Sequence, residues 1–177
     1  MKKRARYLPP HGAQIRSPYL CGQMNAGTYA EHKRYLNRLK ARPPKRLDEA
    51  FEAEHEAVFA QTDCLQCANC CQTTSPIFID ADIDRIARHL RLRPADFVAR
   101  YLRRDADGDW VLHQAPCPFL GTDFYCVIYD VRPRACREYP HTNRKRMHQI
   151  LDLTLANTRV CPAVAEIVER LRRVLPA

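Results

Sequence analysis

Within eight residues the chain reads Cys64-Leu65-Gln66-Cys67-Ala68-Asn69-Cys70-Cys71, and four more cysteines follow at Cys117, Cys126, Cys136 and Cys161. Thiolates are soft ligands that suit zinc, iron and iron–sulfur clusters. Eight of them are enough for two four-sulfur sites or for one polynuclear cluster. The spacing i, i+3, i+6, i+7 is not that of thiols buried as small hydrophobes. A disulfide between adjacent Cys70 and Cys71 would need a strained ring, because bridged residues keep their Cα atoms ~4.4–6.8 Å apart. The ninth cysteine, Cys21, stands far upstream and makes the count odd, against a fully paired disulfide framework.

Zinc and iron both remain open on this donor set. Structural zinc takes four ligands in a tetrahedron, often from two CxxC-like turns. The run Cys64-x2-Cys67-x2-Cys70 also matches the three-cysteine run of bacterial ferredoxins, whose fourth cysteine precedes proline. Both Cys117-Pro118 and Cys161-Pro162 meet that condition. This tips the expectation toward iron. Side chains of neighbouring residues diverge, so Cys70 and Cys71 are expected to serve different metals or opposite sides of one cluster. His113, His141 and His148 are substitute ligands at most, and exposure or packing explains each more simply. Arg132, Arg137 and Tyr139 could meet an anionic substrate, but bracing of buried thiolates is the simpler role. Asp130 and Glu138 read as a helix cap and a local ion pair rather than an acid/base couple. No phosphate loop, Ser/His/Asp signature or H-E-x-x-H pattern is present, and no catalytic residue is assigned.

Charge is unevenly placed. The chain has 29 Lys/Arg against 20 Asp/Glu, and residues 1–46 hold twelve of the basic residues with one acid, Glu31. The remainder is slightly acidic, and a four-thiolate site on a divalent ion adds a further net charge of about −2. A basic arm over 1–43, with Tyr7, Tyr19, Tyr29 and Tyr35 interspersed, is expected to precede a cysteine-cluster domain over 44–177. Residues 1–46 could engage nucleic acid or an acidic protein. The basic start leads into Pro9-Pro10 rather than an apolar run, and no stretch approaches the ~18 apolar residues of a membrane span. A cytosolic setting, where thiols stay reduced, is expected.

The elements that must hold the cysteines follow from periodicity. A helix is expected over Thr28–Lys40, with Tyr29, His32, Tyr35, Leu36 and Leu39 on one side, ended by Arg42-Pro43-Pro44. A second helix over Lys45–Ala60 delivers the chain to the cluster. Ser75–Ile79 reads as extended, and Asp80 as the N-cap of a helix with Ile83, Ile86, Ala87 and Leu90 on its apolar stripe. Another helix carries Phe97, Val98, Tyr101 and Leu102. Asp105–Asp109 lacks the Gly and Glu of a calcium loop and reads as a hairpin turn, with Trp110–His113 returning. Phe124–Tyr129 reads as a strand, Asp130 as the cap of a short helix bearing Cys136, and residues 150–156, with alternating leucines, as a strand. Pro162 opens a terminal helix. The expected architecture is a small, helix-rich α+β domain with a short antiparallel hairpin and metal-pinned cysteine loops.

These blocks, taken in order, carry a resemblance. Cys64-x2-Cys67-x2-Cys70-Cys71, Cys117-Pro118-Phe119-Leu120, Cys126-Val127-Ile128-Tyr129, Arg132-Pro133 and Cys136-Arg137-Glu138-Tyr139-Pro140 are similar to the bacterial cysteine-cluster family described as zinc- or iron-chelating proteins. The resemblance covers about residues 60–165. It implies a cytosolic metal-binding module. Related regions occur in flagellin lysine methylases, so it also admits an iron–sulfur component of redox or methyl-transfer chemistry. Ala68 stands where that family usually has glycine.

Overall fold

The computed structural model describes residues 26–176. Residues 1–25, most of the expected basic arm and Cys21 with it, lie outside the described residues. Helices dominate, in the order α1 (Ala26–Ala41), α2 (Leu47–Phe59), α3 (Cys64–Cys67), α4 (Asn69–Thr73), α5 (Asp80–His89) and α6 (Pro94–Tyr101). The hairpin β1 (Leu102–Arg104) and β2 (Trp110–Leu112) comes next, then α7 (Arg134–Glu138), α8 (Leu151–Asn157) and α9 (Pro162–Val174), with short 3-10 turns at Tyr129–Val131 and Met147–Gln149. The small α+β class expected from the sequence is the one observed.

Two separate apolar cores result. In the first, Tyr35, Leu36 and Leu39 of α1 meet Phe51 and Val58 of α2, Leu151 and Leu155 of α8, and Val164, Ile167, Val168 and Leu171 of α9. The apolar side expected of the first helix is therefore the buried one, and His32 lies fully inside with it. In the second core, Ile83, Ile86 and Ala87 of α5 pack on Phe97 of α6, Leu102 and Leu112 of the hairpin, Phe78, Phe119 and Ile128. The Phe97 ring stacks on Phe119 at 6.2 Å and tilts against Tyr101 at 5.2 Å. Each such buried side chain contributes roughly 1.5–3 kcal/mol. The hairpin pairs Leu102 with Leu112 and Arg104 with Trp110, and Phe78 bridges to Trp110 as a third short segment.

Several local expectations are corrected. Residues 151–157 are helical, not extended: Leu151 and Leu155 lie one turn apart and are buried with Thr154, while Leu153 is 45% exposed. Two of three alternating leucines also satisfy helical spacing, and the neighbouring helices select that face. Phe124–Tyr129 forms no strand. Asp123 Oδ1 accepts the Tyr125 N–H at 3.0 Å, Phe124 takes φ +61°, and only Leu120 and Cys126 bridge. A side-chain-closed turn occupies the backbone groups a ladder would need. Asp80 lies inside α5 and Ile79 holds the cap position, where its N–H donates to Asp82 Oδ2 at 3.4 Å. Asp130 does not cap the Cys136 helix. The first N–H of α7, on Arg134, donates instead to both carboxylate oxygens of Asp82, at 3.1 and 3.2 Å. An acid 52 residues away thus takes the capping role, because the packing of α5 puts its carboxylate there.

Candidate metal centre

The first cysteine cluster follows α2 of the first core and precedes Phe78 of the second in the chain. Helix α2 ends at Phe59, capped by Ala60, and the chain soon turns into α3 and α4, two short helical turns that carry Cys64, Cys67, Cys70 and Cys71. Ala68 joins them in the left-handed region, at φ +48°. That is the conformation glycine adopts without penalty, and it explains why a small residue stands there: Ala68 is also buried. The double turn is closed by local bonds. Ala68 N–H donates to Cys64 O at 2.9 Å, Gln72 Nε2 to Cys67 O at 3.2 Å, and Thr74 Oγ1 to Cys70 O at 2.7 Å.

Two ties lead out of this turn in different directions. Asn69 Nδ2 donates to Val160 O at 2.6 Å, which holds the turn against the residue before Cys161. Cys117 N–H donates to Cys71 O at 2.8 Å, which holds its other side against the Cys117 loop. The thiols sort accordingly. Cys161 has Cys64 and Cys67 as its thiol neighbours, and Cys70 has Cys161 and Cys64 beyond the adjacent Cys71. Cys117, Cys126 and Cys136 all lie in the field of Cys71, and Cys136 in those of Cys117 and Cys126. Cys71 reaches Cys64 as well, as the weakest of its neighbours. Two sets of four emerge: Cys64, Cys67, Cys70 and Cys161, and Cys71, Cys117, Cys126 and Cys136. They touch where Cys70 Sγ and Cys71 Sγ lie 4.0 Å apart. Within each set the thiols are neighbours rather than a closed cage: among the described residues, no three His, Cys, Asp or Glu side chains stand together at metal-site spacing.

Burial acts first on most of these thiols. It pushes Cys117 and Cys161 up to about 11 and Cys136 up to about 12. In the Cys70–Cys71 pair the hydrogen bond between the sulfurs lowers Cys71 and raises Cys70, so the pair sheds one proton readily and resists losing two. Without metal the set is mostly protonated at neutral pH, and metal binding must release protons.

The surroundings nevertheless fit thiolates. Backbone N–H groups of Phe119 and Leu120 are directed at the Cys117 sulfur, that of Ile128 at Cys126, and those of Ala163 and Val164 at Cys161. Cys161 occupies the N-cap of α9, where orphan N–H donors favour a negative group. Arg132, stacked 3.8 Å over the Tyr129 ring, places positive charge near Cys126 and Cys136. The Tyr139 hydroxyl is buried without a hydrogen-bond partner and lies among Cys161, Cys70, Cys64 and Cys67. It is a spare donor of the kind metal-bound sulfur uses. An all-sulfur donor set, with amide, hydroxyl and guanidinium groups around it, suits zinc or iron.

All eight cysteines named from the sequence are among the described residues, and none is in a disulfide. Of the substitute ligands, His141 packs edge-on against Tyr139 at 6.3 Å, and His113 and His148 are exposed. Sequence reasoning missed Asn69 and the capping role of Asp82. Asn69 lies inside the cysteine run but at one of its non-cysteine positions, and Asp82 belongs to no motif. The model of the CxxCxxCC family, described as "Putative zinc- or iron-chelating domain", matches residues 63–162, more than half of the chain. No curated protein and no solved structure gives a significant match.

Proposed function

Because the chain belongs to the CxxCxxCC family of metal-chelating domains, we propose that it binds metal at two adjacent four-thiolate centres, Cys64/Cys67/Cys70/Cys161 and Cys71/Cys117/Cys126/Cys136, whose first role is to join the two cores. The observation that carries this reading is the divergence of the ties around α4, to Val160 beside Cys161 on one side and to Cys117 on the other. Eight ligands drawn from five stretches of chain fix the relative position of everything between α2 and α9. A structural zinc site supplies roughly 10–16 kcal/mol of folding free energy, more than the ~5–15 kcal/mol net stability of an ordinary domain. Metal removal is therefore expected to unfold at least the segment from Cys64 to Cys161.

An iron–sulfur form of the first centre is the second reading. The ferredoxin-like run Cys64-x2-Cys67-x2-Cys70 has two candidate partners before proline in the sequence, and the Asn69–Val160 bond favours Cys161-Pro162 over Cys117-Pro118. Elemental analysis of protein purified without oxygen tests both readings. Two zinc ions per chain and a colourless solution fit two mononuclear centres. Iron with acid-labile sulfide and absorbance near 400 nm fits the cluster. Protein that folds and melts identically with and without chelator, holding less than one metal per chain, contradicts both.

A further inference from the structure

Beside α7 lies a cavity of about 550 Å³. Arg134 and Arg137 of α7 line it from one side and Arg144, Lys145 and Arg146 from the following loop; His55 of α2 also borders it. Its one carboxylate, Glu138, is bonded to Arg134 at 2.5 Å. Among the described residues, Arg137, Arg144, Lys145 and Arg146 form no ion pair. We propose that this cavity is a binding site for a small phosphorylated molecule carrying at least two negative charges.

A run of basic residues is usually a solvated face, and three features separate this one from such a run. The cations come from two different elements and converge on one concave space. The loop that presents three of them is fixed at both ends: Thr142 and Met147 are both fully buried, with Thr142 Oγ1 2.7 Å from His55 Nδ1. Asp48 of α2 then accepts the Arg146 and Met147 N–H groups at 2.6 and 2.8 Å. The loop is thus a built platform, and its cations are held near one another against their mutual repulsion. An anion relieves that repulsion, and guanidinium groups match phosphate oxygens in paired hydrogen bonds. The volume falls within the ~300–1,000 Å³ of small-molecule sites. The lining, rich in cations with the rings of Tyr139 and His141 beside them, suits a compact polar ligand. A nucleic-acid backbone would instead call for charge spread along a face.

The test is calorimetric titration of the full-length, metal-replete protein with fructose 1,6-bisphosphate and with ADP, both free of magnesium. Saturable one-to-one binding of either supports the proposal, and the tighter of the two identifies a sugar-phosphate or a nucleotide as the source of the phosphates. Combined Arg144→Ala and Lys145→Ala is expected to weaken binding by about tenfold or more, since each removes a charge-assisted contact. Added salt is expected to weaken it further. Lys33→Ala with Arg34→Ala, on the exposed side of α1, is expected to leave it unchanged. All four residues are exposed, so the fold is retained in either variant. Failure of both probes to bind, or binding lost with the α1 pair but not with the loop pair, overturns the proposal. So does an RNA oligomer that binds and is not displaced by the bisphosphate, which would make this a nucleic-acid surface.

Discussion

Replacing Asp82 with alanine tests whether the second core positions the thiols that return from it. The Asp82 side chain is 1% exposed and receives Arg85 Nη2 at 2.5 Å, the Arg134 N–H at 3.1 and 3.2 Å, and the Ile79 N–H at 3.4 Å. A hydrogen bond to a charged acceptor contributes about 1.5–3 kcal/mol, which sets the scale for the Arg134 contact. The Arg85 pair adds less than a fully buried pair would. Arg85 is 31% exposed, and it keeps the carbonyls of Val131 and Arg132 at 3.3 and 3.0 Å. About 1 kcal/mol is appropriate for a half-solvated pair, and the Ile79 bond is long enough to neglect. Asp82→Ala is therefore expected to cost about 3 kcal/mol, and Asp82→Asn, which keeps an oxygen for the Arg134 N–H, about half as much.

The functional consequence is local. Arg134 opens α7, and Cys136 sits two residues further on. Loosening that start frees Cys136 from Cys71, Cys117 and Cys126 while leaving Cys161 and α3 untouched. Urea unfolding at fixed metal concentration reads the stability, and competition with a chromophoric chelator reads the retention of each metal. The expected result is that Asp82→Ala gives up one metal early and the other at the parental rate. Loss of less than about 1 kcal/mol with unchanged metal retention would refute the reasoning, as would equal effects of the alanine and asparagine variants.

Three further outcomes are expected. Cys161→Ser should remove metal from the first centre alone and Cys126→Ser from the second alone, as read by metal content per chain; loss of both metals from either variant would mean one shared cluster. His32 is buried, and burial holds it below its ordinary range although Glu169 accepts from it at 3.3 Å. The unfolded chain therefore takes up that proton first, and stability present above about pH 6.5 is lost as pH falls, by at most about 1.4 kcal/mol per unit. Urea midpoints of His32→Gln between pH 7.5 and 5 should fall less steeply than the parent's, and an equal slope would contradict this. Ala68→Val should cost about 2 kcal/mol or more, because a β-branched side chain is strained at φ +48° and overfills a buried position. Ala68→Gly should stay within about 1 kcal/mol of the parent in thermal melting, since relief of strain offsets lost burial; a tolerated valine would show that the turn between α3 and α4 can rearrange.

What could be read in advance divides along the range of the forces involved. The stripes of α1, α5 and α9 are written as repeats of three and four residues, and Leu36, Leu39, Ile83, Ile86, Val164 and Val168 are buried as that spacing requires. The hairpin was legible because Asp105 closes its own turn, accepting the Asp107 and Asp109 N–H groups at 3.0 and 2.9 Å. The helix at Leu151 is not legible in this way, because alternating leucines fit both periods over so short a run, and only packing against α1 and α9 decides between them. The eight cysteines were identifiable by type and spacing. The division proposed for them is not, since it rests on Asn69 meeting Val160 and Cys71 meeting Cys117, contacts 91 and 46 positions apart along the chain.

The proposed division would also account for why the cysteines stand where they do in the chain. The first core is built from residues on both sides of the second: Tyr35 to Val58 before it, Met147 to Leu171 after it. The second core, Phe78 to Ile128, is thus an insertion, and the two clusters share no buried residue. An insertion whose buried side chains form a cluster of their own needs another tie to hold it against its host. Cys64 to Cys71 mark its entry, Cys117 and Cys126 its far loop, Cys136 its exit and Cys161 the helix that closes the first core. Two thiolate centres at those points would cross-link entry to exit and insertion to host. On the proposed reading Cys70 and Cys71, adjacent in the chain with their sulfurs 4.0 Å apart, would serve opposite sides of that junction.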